Sequence, residues 1–355
     1  MTCVSRVQIP WPSSCSGEHH TLLFWRCDGH SRVVGEPTGR GQTREYGEGW
    51  MRSHATSGVL IVFVVALGCT MQDPSQSGFS DPELRVEIFA RGAVSSDLPE
   101  FAASFTPSGD TVFFNRTSSD RSRIDLLYSV QTDSEWSEAQ PFPPLAGVRA
   151  IDPFVTIDGT ALYFSSDLPR EGMDGGVFNL WRLTLGDVQA TPVALPAPVN
   201  TDSSDVFNSF SEDGTMVFSS RRDGVRRVYE TTWDGGVPSE PTLLSLGSGE
   251  SASNPAIHRS GGLLVFARAA ENGASDLHVA CREGAEWGEP VVLPEPVNSS
   301  FAEFAPSFDP AYLYFTSERP GVVGEVAGGQ RPPGDIYRTP IQVVEAMCGL
   351  TSSAP

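Results

Sequence analysis

Three acids and three arginines recur in register along this chain, and their spacing is the first hint of chemistry. Glu100, Asp205 and Glu303 each stand five residues ahead of a phenylalanine (Phe105, Phe210, Phe308), and Arg116, Arg222 and Arg319 follow the acids by sixteen or seventeen residues. Carboxylates of this kind around one channel could hydrolyse a glycosidic bond, which needs only two acids at the right separation. They could equally hold a cation or a basic ligand at the channel mouth. If each meets its arginine, however, it is a structural ion pair, because a neighbouring guanidinium holds the carboxylate ionised. The other two repeats carry Ala150 and Ala252 at the acid position, with Asp152 and Glu250 two residues to either side. No arginine is matched to these two acids, which makes them the better candidates for a ligand.

Other catalytic chemistry is sparse. His258 and His278 are the only histidines after residue 69, too few for a His-based metal centre or a Ser/His triad. There is no phosphate-cradling glycine loop, and Asp167 to Asp174 lacks the alternating acids of a Ca²⁺ loop. No metal and no cofactor are expected. The reading is a non-catalytic binding or scaffolding module, with a glycoside hydrolase using channel carboxylates as the alternative.

The elements that position these residues come from an internal repeat. Five segments align: EFAASFTPSGDTVFFNR from Glu100, AIDPFVTIDGTALYFSSD from Ala150, DVFNSFSEDGTMVFSSRR from Asp205, ASNPAIHRSGGLLVFAR from Ala252 and EFAPSFDPAYLYFTSER from Glu303. Their closing aromatics Phe114, Phe164, Phe218, Phe266 and Phe315 recur at roughly 50 residues, a period of propeller blades. Each unit reads as four strands: an inner apolar strand, a tight turn that carries Asp-Gly or Ser-Gly in at least three of the five, a second strand ending near the aromatic, a third strand after a variable loop, and an outer strand. The fifth unit lacks an outer strand of its own, and residues 84–89 supply one from the N-terminal side. The expected fold is therefore all-β, a five-bladed propeller whose last blade is closed by an N-terminal strand, with six blades as the alternative. Because the first two strands form a hairpin, each acid and its arginine fall at the same end of a blade. Long Gly- and Pro-rich loops at 167–177 and 318–334 share that end, where binding is normally built.

Several motifs carry a resemblance: Pro296-Val-Asn298, Glu303 to Phe308, Tyr314 to Gly321 and Asp335-Ile-Tyr337, with a second Pro-Val-Asn at 198–200. Over 84–341 the chain resembles the WD40-like (PD40) propeller repeats of the TolB type. That resemblance implies a periplasmic propeller that binds partners without catalysis. It also implies six blades and a separate N-terminal domain, against the five units counted here.

Composition agrees with an all-β chain of this size: 355 residues, 39% hydrophobic, with 35 Gly and 28 Pro. A formal net charge of −20 repels phosphate backbones, which excludes nucleic acid as the expected partner. From Met51 the sequence reads as an export signal, whose apolar run 58–67 ends in Ala66-Leu67-Gly68-Cys69. This resembles the lipobox of bacterial lipoproteins and implies lipidation at Cys69. Residues 51–69 are thus expected to be a signal peptide, 70–83 a polar linker, 84–341 the propeller and 342–355 a tail. Residues 1–50, with Cys3, Cys15 and Cys27, are read as untranslated or disordered. The expected product is a monomeric outer-membrane lipoprotein, anchored to the membrane by its lipid and facing the periplasm or the surface, with a protein or a cell-envelope glycan as partner. Once Cys69 is lipidated, Cys281 and Cys348 remain, and an oxidising compartment favours a disulfide between them over two free thiols.

Overall fold

The computed structural model describes residues 84–350, apart from 188, 235, 248–250, 271 and 327–331, together with the backbone of the strands Leu23–Cys27 and His30–Val34. The expected signal segment, Cys69, the linker 70–83 and Glu250 lie outside the described residues. The chain divides into two compact units, Met1–Gln72 and Asp73–Pro355. In the first, Leu23–Cys27 pairs antiparallel with His30–Val34, so the 1–50 stretch carries one hairpin.

The second unit is a five-bladed β-propeller of antiparallel sheets. Inner strands run over Glu100–Phe105, Ala150–Val155, Asp205–Phe210, Ala252–Ile257 and Glu303–Phe308. Each pairs with a second strand (Thr111–Thr117, Ala161–Ser166, Met216–Ser220, Leu263–Ala269, Tyr312–Ser317), which pairs with a third (Ile124–Thr132, Asn179–Thr184, Arg227–Thr231, Ser275–Glu283, Asp335–Pro340). Short outer strands such as Val193–Ala194 and Val291–Val292 complete the blades. Second strands are apolar on both faces because each is sandwiched between neighbouring blades. The five recurring phenylalanines sit at their centres, none more than 1% exposed.

Every inner strand is interrupted opposite its phenylalanine. Phe101 pairs with Asn115 and Ser104 with Phe113, leaving Ala102 and Ala103 to face Phe114 alone; the same register shift recurs in all five blades. Two residues against one is a β-bulge. The third residue of each inner strand is left-handed: Ala102 (φ 56), Asp152 (φ 56), Phe207 (φ 50), Asn254 (φ 50) and Ala305 (φ 49). Pro153, Pro255 and Pro306 occupy the fourth position, where a bulge spares the missing N–H.

Closure follows the expected permutation. The strand Glu87–Ile88 pairs antiparallel with the third strand of blade 5, Ile88 against Tyr337 and Glu87 against Arg338. Phe89 then donates its N–H to Ile336 (2.8 Å) and meets Phe105, Trp136 and Tyr314 edge-on at centroid distances of 5.4, 5.3 and 5.2 Å. One side chain thereby joins blade 5 to blade 1. Past blade 5 the segment read as a tail forms the helix Gln342–Met347, whose Val344 is wholly buried in the core shared by blades 4 and 5. A Cys281–Cys348 disulfide with Cα atoms 5.2 Å apart fixes its end to the third strand of blade 4.

Truncating the joint should be costly. Phe89→Ala removes a fully packed ring and is expected to destabilise the propeller by about 3–5 kcal/mol, lowering the calorimetric midpoint on the order of 10 °C. An unchanged midpoint would show that Phe89 does not join the ring.

Candidate functional site

The repeated acids are consumed by the fold. Glu100, Asp205 and Glu303 are at most 1% exposed, and each meets its arginine: Arg116 Nε at 2.6 Å, Arg222 Nη2 at 3.2 Å and Arg319 Nη2 at 3.0 Å. A Ser or Thr four residues upstream gives each acid both its N–H and its hydroxyl: Ser96 (2.9 and 2.5 Å), Thr201 (2.6 and 2.8 Å), Ser299 (2.9 and 2.6 Å). The guanidiniums also donate to carbonyls of the incoming loop, Val94 (3.1 Å), Val199 (2.7 Å) and Val297 (2.5 Å). They stack over Phe114, Phe218 and Phe315 as well. Each ion pair is thus a staple between the start of a blade and the segment entering it. Burial holds the Glu100 carboxyl above its ordinary value, opposed by Ser96 and Arg116.

Blade 2 carries the staple reversed, with Arg149 Nη1 3.2 Å from Asp167 and its guanidinium 4.7 Å over Phe178. In blade 4, Arg268 donates to the Leu246 carbonyl. The 167–177 loop is tied down too. Arg170 donates to Asn179 (2.6 Å) and to the Thr201 carbonyl (2.5 Å), and a Cβ at Gly175 (φ 97) would lie 2.9 Å from the Asp167 oxygen.

This staple end is where the sequence placed the channel mouth and the binding loops, and apolar packing closes the channel there. Ala102, Val206, Phe207 and Ala305 form one buried cluster with Phe101, Phe178 and Phe304 around it. Blade 3 is not adjacent to blades 1 or 5, so contact among their residues crosses the ring axis. The cavity lies at the other end, beside the tight turns between inner and second strands, with a volume of about 140 Å³. Half-buried Phe154, Phe210 and Phe308 line it from blades 2, 3 and 5, joined by Ile157 at 37% exposure. In the sequence these rings had no role beyond marking the inner strands. The available signal is that Phe154, Phe210 and Phe308 stand at or one residue before the end of an inner strand, next to the tight turn.

Polar side chains share the cavity wall with the rings. Asp152, 8% exposed, stands at the bulge of blade 2. Its N–H donates to Asn115 Oδ1 (2.9 Å), and burial pushes its carboxyl up to about 7, against the opposing pull of Arg226 and Ser165. The expectation that Asp152 has no partner is corrected accordingly. Asn208 is 3% exposed, and neither its amide nitrogen nor its oxygen has a hydrogen-bond partner. His258 takes Ser260 on Nδ1 (2.8 Å) and lies 3.9 Å from Glu345. Burial lowers the His258 pKa and raises that of Glu345. Asp309 accepts the N–H groups of Ala311 and Tyr312 (both 2.7 Å) and the Tyr314 hydroxyl (2.8 Å). No group of three or more metal-ligating side chains occurs among the described residues.

No protein-family model and no curated protein sequence matches the chain. Among solved structures, TolB from Acinetobacter baumannii is similar at 12% identity and a TM-score of 0.40, over 68% of this chain and 54% of that one. The catalytic domain of the GH62 α-L-arabinofuranosidase of Coprinopsis cinerea is similar at 13% identity and a TM-score of 0.47, over 73% and 98%. A gluconolactonase from Xanthomonas campestris is similar at 12% identity and a TM-score of 0.44, over 72% and 89%.

Asp152 gives stability a definite pH dependence. Its folded pKa is raised, so the folded state binds a proton that the unfolded state has released between about pH 4 and pH 7, and stability from this group falls as pH rises through that window. From pH 5 to pH 8 the loss is roughly 2–3 kcal/mol. Asp152→Asn removes the titration, so its thermal midpoint should exceed that of the parent at pH 8 by several degrees more than at pH 5. Parallel pH profiles for the two proteins would contradict the assignment.

Proposed function

We propose that this chain is a non-catalytic binding propeller of the TolB-like PD40 type, exported and lipid-anchored at Cys69, that admits its ligand at the turn end of the channel. One observation carries the reading. The channel is plugged at the staple end and open at the turn end, into a cavity walled by aromatic rings together with polar side chains, a form that suits a binding site. The glycosidase alternative needs two carboxyl groups free to act on one bond. Along this cavity the described carboxyls are Asp152 and Asp309, and Asp309 has both oxygens engaged by its own turn and by Tyr314. A partner drawn from cell-envelope protein or glycan suits an anchored propeller whose rigid ring presents that opening.

The anchor and the site are tested separately. Mass spectrometry of the membrane fraction should find an N-terminus at an acylated Cys69 that Cys69→Ala abolishes; a free N-terminus elsewhere would remove the lipoprotein context. For the site, the full-length protein in detergent is expected to retain a component of solubilised cell envelope. Ile157→Trp, which fills the mouth from its exposed rim, should abolish that retention, while shortening the 167–177 loop at the opposite end should not. The reverse pattern would move the site to the staple end.

A further inference from the structure

Two polar side chains in the cavity wall break the pattern of the repeat. Asp152 is a carboxyl group walled into the channel, and Asn208 is a carboxamide in the same wall that satisfies none of its own hydrogen-bonding capacity. Burying an unpaired amide costs on the order of 1–3 kcal/mol, and burying a carboxylate more. The other bulge positions carry Ala102, Phe207, Asn254 and Ala305, so the fold does not require an acid there. The rings of Phe154, Phe210 and Phe308 line the same cavity. Aromatic faces attract cations, and a carboxylate at low local dielectric attracts them more strongly. The net charge of −20 adds a long-range field of the same sign. A cavity of about 140 Å³ is close in size to engineered cavities that hold one benzene molecule.

Resting on the reading of the turn end as the ligand entrance, we propose that the group it takes in is a compact organic cation of about single-ring size, its charge on Asp152, its body against the three phenylalanines and a hydrogen bond to Asn208. The competing charges are few. Arg226 is the one cation acting on Asp152, and its own charge is shared with Asp205 and opposed by Arg221. At the rim, Arg259 is paired with Glu212, His258 is held below its ordinary pKa, and Asp309 is bound by its turn. A cationic guest stabilises the ionised form of Asp152, so binding should strengthen as pH rises through the Asp152 titration.

The probes are benzylamine, cationic from pH 6 to pH 8, and benzyl alcohol, its neutral counterpart, measured by calorimetric titration on the full-length protein. With the Asp152 carboxyl titrating near 7, benzylamine affinity is expected to rise about tenfold between pH 6 and pH 8. Benzyl alcohol should show no such rise. Asp152→Asn, a neutral isostere, should abolish the rise while leaving benzyl alcohol binding in place. Asn208→Leu should weaken both probes. If benzylamine binds no more tightly than benzyl alcohol at pH 8, or keeps its pH slope in Asp152→Asn, the cation assignment is overturned while the turn-end entrance stands. If neither probe binds and Ile157→Trp leaves envelope retention intact, the entrance itself is overturned.

Discussion

The propeller depends on a backbone N–H released by the bulge in four of the five inner strands and captured by the blade before it. Asn115 Oδ1 accepts from Asp152 (2.9 Å), Ser165 Oγ from Phe207 (3.0 Å), Ser219 Oγ from Asn254 (3.0 Å) and Thr316 Oγ1 from Ala102 (3.3 Å). In every case the accepting side chain is the residue after the second-strand phenylalanine. A left-handed non-glycine residue costs roughly 1–2 kcal/mol, and a buried N–H left without a partner would add a similar amount. One hydrogen bond therefore offsets the strain of the bulge and sets the docking of neighbouring blades. At the junction of blades 4 and 5, Ala267 takes the acceptor's place and offers no polar atom; Ser275 Oγ instead donates to the Glu303 carbonyl (2.9 Å).

The same bulge decides what lies on the axis. It places the third residue of each inner strand at the channel, so short or aromatic side chains at Ala102, Phe207 and Ala305 build the plug. A carboxyl at Asp152 makes a polar wall from an equivalent position. The plug and the cavity are two outcomes of one backbone geometry, selected by side-chain type. Meanwhile the staples of blades 1, 3 and 5 commit their charges at the closed end, where Arg116, Arg222 and Arg319 also bind the entering loops. Removing one member of such a buried pair costs about 3–5 kcal/mol, since the other charge is left in place. That end serves as the frame.

Much of this was legible in the sequence because it repeats. The recurring phenylalanines gave the number of blades, the missing outer strand gave the permutation that Glu87–Ile88 completes, and the spacing of Glu100 to Arg116 gave a pair 2.6 Å apart. The cysteine count pointed to the Cys281–Cys348 bond. Which end is open was not legible, because it depends on where side chains point after the bulge, and a hairpin reading assumes unbroken alternation. Three prolines inside inner strands, Pro153, Pro255 and Pro306, were the available sign of irregularity, since proline cannot sit in a regular central strand. A bulge shifts the register by one residue and sends the following side chains to the other face. The distinction between mouth and plug lies in that shift.

A repeat fold separates structural from functional residues by a physical criterion. A polar residue that recurs at one structural position, with its partners recurring around it, has its desolvation offset by the fold itself; Glu100, Asp205 and Glu303, each with a serine or threonine and an arginine, are of this kind. Asp152 departs from the recurrence. Four other residues fill its position with no acid among them, and its carboxyl is held so far from its ordinary pKa that ionisation opposes folding at neutral pH. Arg226 and Ser165 offset that cost only in part, because burial still raises the Asp152 pKa. Asn208 departs from the recurrence too, and its position holds Ala103 or proline in the other blades. Asp152 and Asn208 stand in one cavity wall, on adjacent blades, at the turn end of the channel.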